Sequence, residues 1–420
     1  LGLQSCLFQE EDYFDDSSAN RATADVKRCS ELLEAAPNGW VMEYYVGKDY
    51  SLGGITLLCK FDGQRVTMAS QIAGADETVS SLYSVKSEQA TMLSFDTYNY
   101  LVHYFGQPQG SMADDPNGTL GGDYEFVISD ATADRIELKG KKYGNRIVMK
   151  AFSADQTWKQ YLTRIKKVED DAFFYEYDLR MDGLYTGQML RSNYTFIVTY
   201  YDEVGKVYQK TVPFMFTTDG MRFHEPVTID GQTMQNFVWK NEEISFVCTD
   251  EGATGVKMKG IYIDGYQSYD YYPGTYLMDF YRLNGATNQL EVASQEIQLV
   301  KNEDGKSYWL KGLEYDILVT YDKPRGGLSI LPQFLKKVQG GYVYLAMWDL
   351  MNDYVLRSSA IGLISYPTTD GIYLVDNGVW MGEISGFIFG VYDSQDEEAS
   401  FMGYTDAVAA IRLIKKTIEE

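Results

Sequence analysis

Short segments in which apolar and polar residues alternate recur along this chain from Trp40 onward. They are rich in Val, Ile, Tyr, Phe and Thr, and Asp-Gly, Asn-Gly or Gly-Gly turns separate them at spacings of about ten residues. A period of two places successive side chains on opposite faces of a strand, and short turns join antiparallel strands. The pattern therefore predicts a mainly β protein with two antiparallel β-domains of the barrel or sandwich type.

The clearest predicted strand pairs are residues 56–61 with 65–70, 124–129 with 135–139, and 195–201 with 207–216. Apolar residues at helical spacing instead predict a short N-terminal helix over Ala22–Ala35, which the Pro37-Asn38-Gly39 segment ends. A second helix is predicted between two sheet units, over residues 155–168. Residues 405–416 fit either a third helix or a strand.

The length of 420 residues allows roughly two to three domains. Between Gly252 and Gly274 the chain becomes rich in Gly and Tyr, and a new series of predicted strands follows. We therefore expect an N-terminal β-rich domain over residues 20–255 and a C-terminal barrel or sandwich of seven or eight strands over residues 275–420. The similar stretches Gly144-Asn145-Arg146-Ile147 and Gly220-Met221-Arg222-Phe223 fit either a duplicated sheet unit or chance similarity between two β-meanders.

Residues 1–19 have the pattern of a signal-peptide remnant, a lipidated cysteine and an acidic tether. The stretch Leu3-Gln4-Ser5-Cys6 is similar to the processing site of bacterial lipoproteins, and acidic residues follow it at positions 10–12 and 15–16. This similarity predicts that Cys6 becomes the acylated N-terminal residue. More than one acyl chain on it would give stable membrane anchoring. The alternative is an ordinary cysteine in a disordered end.

The charge and the histidine content exclude two classes of function. The formal net charge is −23, whereas nucleic acid binding depends on Lys and Arg neutralising phosphates, so no nucleic acid partner is predicted. His103 and His224 are the only histidines, which excludes a three-histidine zinc site and the His-Glu-x-x-His motif. No cofactor and no metal are predicted.

Apart from Cys6, the chain has three cysteines, and we expect all three to be buried, unpaired thiols. The alternative is one disulfide between two of them. Cys29 lies in a predicted helix, and Cys59 and Cys248 lie in predicted strands. None has a histidine close in sequence, so a cysteine nucleophile has no support.

Six stretches resemble the Bacteroidetes lipoproteins of the domain-of-unknown-function family 4302, in their order and spacing over about residues 20–240. They are residues 36–45, 81–86, 95–99, 101–105, 122–126 and 138–142. The resemblance implies a surface or periplasmic lipoprotein, of the sort often encoded with outer-membrane nutrient-uptake systems. It implies no established activity and no catalytic residue.

Two stretches offer groups for catalysis or metal binding. Glu225 beside His224 is the most suggestive neighbourhood for an acid–base pair, although a structural role at a turn is the preferred interpretation. The acidic stretch Asp114-Asp115-Pro116-Asn117-Gly118, continuing to Asp123, offers oxygen ligands for calcium but lacks the EF-hand spacing, so we expect an acidic turn. No catalytic residue is therefore predicted.

A tyrosine cluster near the expected domain boundary is the best candidate for a ligand site. Tyrosine combines a flat apolar face with a hydroxyl and suits sugar rings and protein surfaces. The alternative is that the rings fill the interior of the β structure. We predict ligand contacts from Tyr266, Tyr269, Tyr271 and Tyr272; the other members of the cluster are Tyr262, Tyr276 and Tyr281.

Together these observations predict a cell-envelope lipoprotein, anchored in the outer membrane and displayed at the cell surface or on the periplasmic face. We expect a non-catalytic binding or accessory component of glycan or peptide capture, working with an outer-membrane transporter. The alternatives are a carboxylate-based glycoside hydrolase and a structural or adhesive surface protein.

Overall fold

The computed structural model describes residues 18–108, 118–202 and 204–416. The chain divides after Ile261 into two compact units, here called the N-terminal unit and the C-terminal unit. Antiparallel strands dominate both units, which confirms the mainly β prediction. No helix within the described ranges is long and apolar enough to cross a membrane.

Within the described residues of the N-terminal unit, helix α1 (Ser18–Ala35) comes first, followed by a closed barrel of eight strands in sequence order. The short helix α2 (Tyr100–His103) lies between the fifth and sixth strands. The barrel strands are β1 (Trp40–Val46), β2 (Gly53–Asp62), β3 (Arg65–Ser70), β4 (Val79–Ser87), β5 (Thr91–Phe95), β6 (Glu125–Ala131), β7 (Arg135–Gly140) and β8 (Arg146–Ala151). Strand β1 pairs with both β2 and β8, which closes the barrel.

The same plan repeats in the second half of this unit, where helix α3 (Trp158–Asp171) precedes a second closed barrel of eight strands. Its strands are β9 (Glu176–Met181), β10 (Leu184–Ser192), β11 (Thr195–Tyr201), β12 (Val207–Phe216), β13 (Gly220–Ile229), β14 (Gln232–Lys240), β15 (Ser245–Cys248) and β16 (Val256–Ile261). A Thr157–Gln160 capping box begins α3. The similar stretches at Gly144 and Gly220 begin β8 and β13, the eighth strand of one barrel and the fifth of the other, so they do not mark equivalent positions.

Alternation along each strand separates the barrel interior from its outer face. On β1, Trp40, Met42 and Tyr44 are buried in the core of the first barrel. On β13, Met221 and Phe223 belong to the core of the second barrel. The residues between them therefore point outward, and α3 covers part of the first barrel through a cluster that contains Leu58, Ala69, Phe152 and Leu162.

Up to residue 416, where the described part of the chain ends, the C-terminal unit has twelve strands in one sheet. They are β17 (Gly274–Asn284), β18 (Gln289–Lys301), β19 (Ser307–Lys311), β20 (Ile317–Asp322), β21 (Gly327–Ile330), β22 (Gln333–Val338), β23 (Gly341–Asp349), β24 (Tyr354–Leu356), β25 (Leu363–Thr368), β26 (Gly371–Asp376), β27 (Gly386–Tyr392) and β28 (Phe401–Lys415). The order β17-β18-β19-β20-β21-β25-β26-β28, with pairing between β28 and β17, closes an eight-stranded barrel. Strands β27, β23, β22 and β24 extend the sheet from β28.

Two details differ from the sequence prediction for this unit. The expected seven or eight strands were too few. Strands β24 and β21 have only three and four residues, too short for alternation to be recognised, β22 has no buried residue, and β28 was left ambiguous. Residues 405–416 lie mostly in strand β28 rather than in a helix. Their helix-like spacing has a physical cause: Ala410 has φ of 51°, and the shift in register around it buries Ala407, Val408 and Ala409 in succession.

Candidate functional site

Part of the predicted tyrosine cluster packs into the core of the C-terminal barrel, where Tyr272 and Tyr276 are buried and Tyr269 packs against them. Tyr272 is 1% exposed and its hydroxyl donates to the Gly326 carbonyl at 2.8 Å, while the Tyr276 hydroxyl donates to the Tyr272 carbonyl at 2.6 Å. The Tyr269 ring stacks on Tyr308 with centroids 4.7 Å apart. Burial raises the pKa of Tyr272 and of Tyr276, so both hydroxyls stay protonated donors.

Two of the four predicted ligand contacts lie nearer the surface. Tyr271 is 39% exposed, and the Lys415 ammonium lies 4.9 Å from the centre of its ring. The Tyr266 hydroxyl bonds with the Tyr321 hydroxyl at 3.0 Å. A ligand role for Tyr266, Tyr269, Tyr271 and Tyr272 remains a prediction, and the structure gives Tyr272 a packing role.

The neighbourhood predicted for an acid–base pair lies on β13. The His224 ring contacts two aromatic rings, with its centroid 4.2 Å from that of Tyr45 and 4.1 Å from that of Tyr50, and those two centroids are 5.9 Å apart. Burial lowers the pKa of His224, which favours the neutral imidazole. Glu225, the next residue on the strand, is exposed.

Among the described residues, no three His, Cys, Asp or Glu side chains are grouped to hold a metal ion. Asp123 accepts hydrogen bonds from the backbone N–H groups of Lys142 and Tyr143, at 2.7 and 3.1 Å, so its carboxylate holds a turn. Positions 114–117 of the predicted acidic loop, and Cys6, lie outside the described residues. Cys29, Cys59 and Cys248 are buried, unpaired thiols, as predicted.

Small-molecule sites are cavities of about 300–1,000 Å³ lined mainly by apolar and aromatic side chains. The C-terminal unit contains an aromatic-lined cavity of about 700 Å³. Four rings on its wall form a continuous series. Phe334 and Tyr344 have centroids 5.4 Å apart, Tyr344 and Tyr392 are 5.7 Å apart, and Tyr392 and Phe401 are 5.5 Å apart. We call these four residues the aromatic wall.

Strand pairing in the sheet extension places the aromatic wall. Phe334 on β22 lies directly opposite Tyr344 on β23 in the antiparallel register, so the two side chains share one face. On β23, Val343 and Leu345 face the core while Tyr344 faces the other way. Gly390 on β27 leaves space for the next rings, because a Cβ there would lie 3.0 Å from Tyr392 and 3.1 Å from Phe401.

Arg357 fixes the loop over residues 393–400 against the aromatic wall. Its guanidinium carbon lies 4.2 Å from the centre of the Tyr392 ring and 4.8 Å from that of Tyr344. The same guanidinium donates to the carbonyls of Asp396 at 2.5 Å and Glu397 at 3.2 Å. The cavity wall is therefore held in place before any ligand arrives.

Exposure shows which rings a ligand can reach. Phe334 is 45% exposed and Phe401 is 44% exposed, whereas Tyr392 is 4% exposed. Burial raises the pKa of Tyr392, although the Arg357 guanidinium opposes the shift. The polar residues Gln333, Ser358, Ser359, Gln395 and Glu397 also line the cavity. The site thus combines open aromatic faces with hydrogen-bonding groups.

Sequence reasoning missed this site because its residues come from three separated strand regions. The nearest signal in the sequence is the alternation of Tyr342 and Tyr344 with the apolar residues of β23, which marks an aromatic outer face. Nothing in that pattern indicates that Phe401 lies beside the same face. Only the strand order of the sheet extension brings them together.

Comparisons with known proteins cover most of the chain. The family model for a domain of unknown function, DUF4302, matches residues 10–241, and the model for another domain of unknown function, DUF4987, matches residues 249–388. No curated protein matches. A crystal structure of a protein with unknown function from the DUF3598 family of Nostoc punctiforme covers 59% of this chain and 98% of its own, with 7% identity and a TM-score of 0.16.

The DUF4302 match spans helix α1, the whole first barrel and most strands of the second barrel, and it covers more than half of the chain's residues. It also agrees with the resemblance carried by the six stretches between residues 36 and 142. The chain therefore belongs to the family of proteins defined by the domain of unknown function DUF4302.

Proposed function

We propose that this protein is a non-catalytic binding component of the cell envelope and that the cavity of its C-terminal unit holds a saccharide. The observation that carries the proposal is the aromatic wall, with Phe334 and Phe401 each more than two-fifths exposed beside a cavity of about 700 Å³. Aromatic faces bind the apolar faces of sugar rings, and neighbouring polar groups bind sugar hydroxyls.

A saccharide fits the site better than a peptide added to the sheet edge. Strand β22 lies at the end of the strand order and pairs with β23. Its register shifts between Phe334 and Lys336, and Lys336 and Lys337 are exposed there. Bulges and lysines at a sheet edge oppose the addition of another strand. A ligand recognised through the aromatic wall is therefore favoured over one recognised through backbone pairing.

The first test measures binding of a panel of neutral oligosaccharides to the full chain by calorimetry. Phe334→Ala and Phe401→Ala should each weaken the binding by at least about tenfold, because each removes an open aromatic face without removing a core residue. Tyr366→Ala is the matched control, since Tyr366 is 62% exposed on β25 and does not line the cavity.

Three outcomes contradict parts of this proposal. Saccharide affinity that is unchanged in both phenylalanine variants excludes the aromatic wall as the site. Affinity that is lost instead in a Tyr269→Ala, Tyr271→Ala double variant assigns the site to the predicted tyrosine cluster. Binding of extended peptides but of no saccharide excludes the ligand class.

We also propose that Cys6 anchors the protein in the outer membrane, where it works in nutrient capture beside a transporter. The support is the lipoprotein-like sequence around Cys6 and the acidic tether that follows it. Cys6→Ser should move the protein from the membrane fraction to the soluble fraction, with Cys29→Ser as the control for loss of a thiol elsewhere. An unchanged distribution of Cys6→Ser rules out the anchor.

Turnover separates the binding role from the alternative of a carboxylate-based glycoside hydrolase. The saccharides that bind should be recovered intact after prolonged incubation with the full chain. Hydrolysis that disappears on replacement of a single carboxylate would instead establish an enzyme.

A further inference from the structure

A second cavity lies in the N-terminal unit, between the outer faces of its two barrels. It has a volume of about 400 Å³, which suits a ligand the size of a monosaccharide. Strands β1, β7 and β8 of the first barrel and β13 and β14 of the second supply its lining residues. We call it the inter-barrel cleft.

The inter-barrel cleft is basic in a chain whose net charge is −23. Glu43 is the one carboxylate among its described lining residues, and it pairs with Lys150 at 2.7 Å and with Arg222 at 2.6 Å. The other lining cations, Arg135 and Arg146, share the carboxylate of Glu137 at 3.0 and 3.4 Å. Four cations therefore face two carboxylates, and a surplus of positive charge remains.

A buried hydroxyl also faces the cleft. Tyr45 lines it and is 4% exposed; the nearby Arg222 guanidinium can only donate to the hydroxyl oxygen, and no described group accepts the hydroxyl proton. Burial raises the pKa of Tyr45, although the charge of nearby Arg222 opposes the shift, so the hydroxyl stays a protonated donor. Leaving a buried hydroxyl unpaired destabilises a fold, so such a group indicates a missing partner. An oxygen of a bound ligand can accept this hydrogen bond.

The wall around Tyr45 is held in place by contacts between aromatic rings and by a loop with unusual backbone angles. The rings of His224, Tyr45 and Tyr50 contact one another in a triangle, at tilted or edge-to-face angles. Asp49 and Tyr50 have φ of 53° and 61°, a conformation that costs free energy in residues other than glycine. The Tyr50 hydroxyl accepts a hydrogen bond from the Arg146 N–H at 3.3 Å, which ties this loop to the edge of the cleft.

We propose that the inter-barrel cleft binds a small carboxylate-bearing ligand of monosaccharide size. The cationic side chains attract the carboxylate, and guanidinium groups suit its two oxygens. The Tyr45 hydroxyl donates to a ligand oxygen. The site is independent of the cavity in the C-terminal unit, because it shares no lining residue with it.

The probe is galacturonate, with galactose as its neutral match, titrated into the full chain by calorimetry and thermal shift. The titrations use a Phe334→Ala, Phe401→Ala double variant as background, because it removes the aromatic wall proposed for neutral saccharides. In that background galacturonate should bind saturably and galactose should not. Tyr45→Phe should weaken galacturonate binding about threefold to tenfold, while the unliganded variant is at least as stable as the parent because an unpaired buried hydroxyl is gone. A purely structural role for the hydroxyl would instead lower stability.

Further variants test whether galacturonate affinity depends on the inter-barrel cleft. Arg146→Gln, at a side chain that is 76% exposed, should weaken galacturonate binding without unfolding the protein, and Tyr175→Phe, at an exposed residue outside the cleft, should leave it unchanged. Equal binding of galactose and galacturonate, or full affinity in Tyr45→Phe, overturns the proposal. Equal stabilisation by inorganic phosphate also overturns it, because it shows general anion binding.

Discussion

The Glu43 carboxylate on β1 lies 2.6 Å from the Arg222 guanidinium on β13, so an ion pair joins the two barrels of the N-terminal unit. Burial raises the pKa of Glu43, but the charges of Arg222 and Lys150 outweigh it and hold that pKa below 4.5. Glu43→Gln leaves two cations without their partner and should lower the free energy of unfolding by about 1–3 kcal/mol. Urea denaturation measures the change.

The pH dependence and a control identify the cause of that loss. Because the folded pKa is depressed, the stabilisation is present above about pH 4.5 and disappears as the pH falls through the folded value, so parent and variant should converge in acid. Glu243→Gln removes an ion pair with Lys257 at an exposed site and should change nothing measurable. A gap that stays constant down to about pH 3, below the unfolded pKa of a glutamate, contradicts the assignment.

Protonation of His224 should destabilise the fold. Burial lowers its pKa below 6.5, so between the folded value and 6.5 the unfolded chain binds more protons than the native one. Stability therefore falls as the pH drops below about 6.5. His224→Phe keeps a ring in contact with Tyr45 and Tyr50. Thermal unfolding from about pH 7.5 to 5 should show the parent losing stability relative to this variant. Parallel curves would refute the effect.

Gly53 marks the close approach of β2 to the second barrel. A Cβ at this position would lie 1.9 Å from the carbonyl oxygen of Tyr194, and the residue has φ of 72°. Gly53→Ala should cost about 3 kcal/mol or more, from overpacking and backbone strain together. Gly63 has φ of 61° with open space around it. Gly63→Ala should therefore lower the free energy of unfolding by only about 1 kcal/mol. Chemical denaturation should show that difference, and equal costs would contradict the barrel contact.

Tyr276 tests whether the tyrosine cluster stabilises the C-terminal barrel. Its buried hydroxyl donates to the Tyr272 carbonyl at 2.6 Å, so Tyr276→Phe should lower the free energy of unfolding by about 1 kcal/mol. Tyr281→Phe is the control on the same strand, where the side chain is 44% exposed, and should have no effect. A destabilisation as large in Tyr281→Phe would show that the buried hydrogen bond is not responsible.

Local pattern was sufficient to identify many elements. The predicted segment 195–201 agrees with β11, and 207–216 agrees with β12, because alternation and the turn at Gly205 are properties of neighbouring residues. Helix α3 begins at Trp158, directly after its capping residue Thr157, and not near residue 155 as predicted. The strand in residues 401–415 was ambiguous because a bulge at Ala410 interrupts its alternation.

The candidate sites depend on contacts that no local pattern contains. Phe334 and Phe401 are 67 positions apart in the sequence and meet beside one cavity only through the order of β22, β23, β27 and β28. Glu43 and Arg222 lie in different barrels. The tyrosine cluster was visible in the sequence because its members are neighbours in the chain, but burial of Tyr272 depends on its packing against other strands.

The sequence by itself determined the β class, the short helices, the acidic charge and the family, since each follows from composition, periodicity or motifs read along the chain. The tertiary structure decided the three barrels, the extended sheet and both cavities. Barrel closure depends on pairing between strands that are distant in sequence, such as β1 with β8 and β17 with β28. Those pairings set which outward-facing side chains become neighbours, and thereby which residues can bind a ligand.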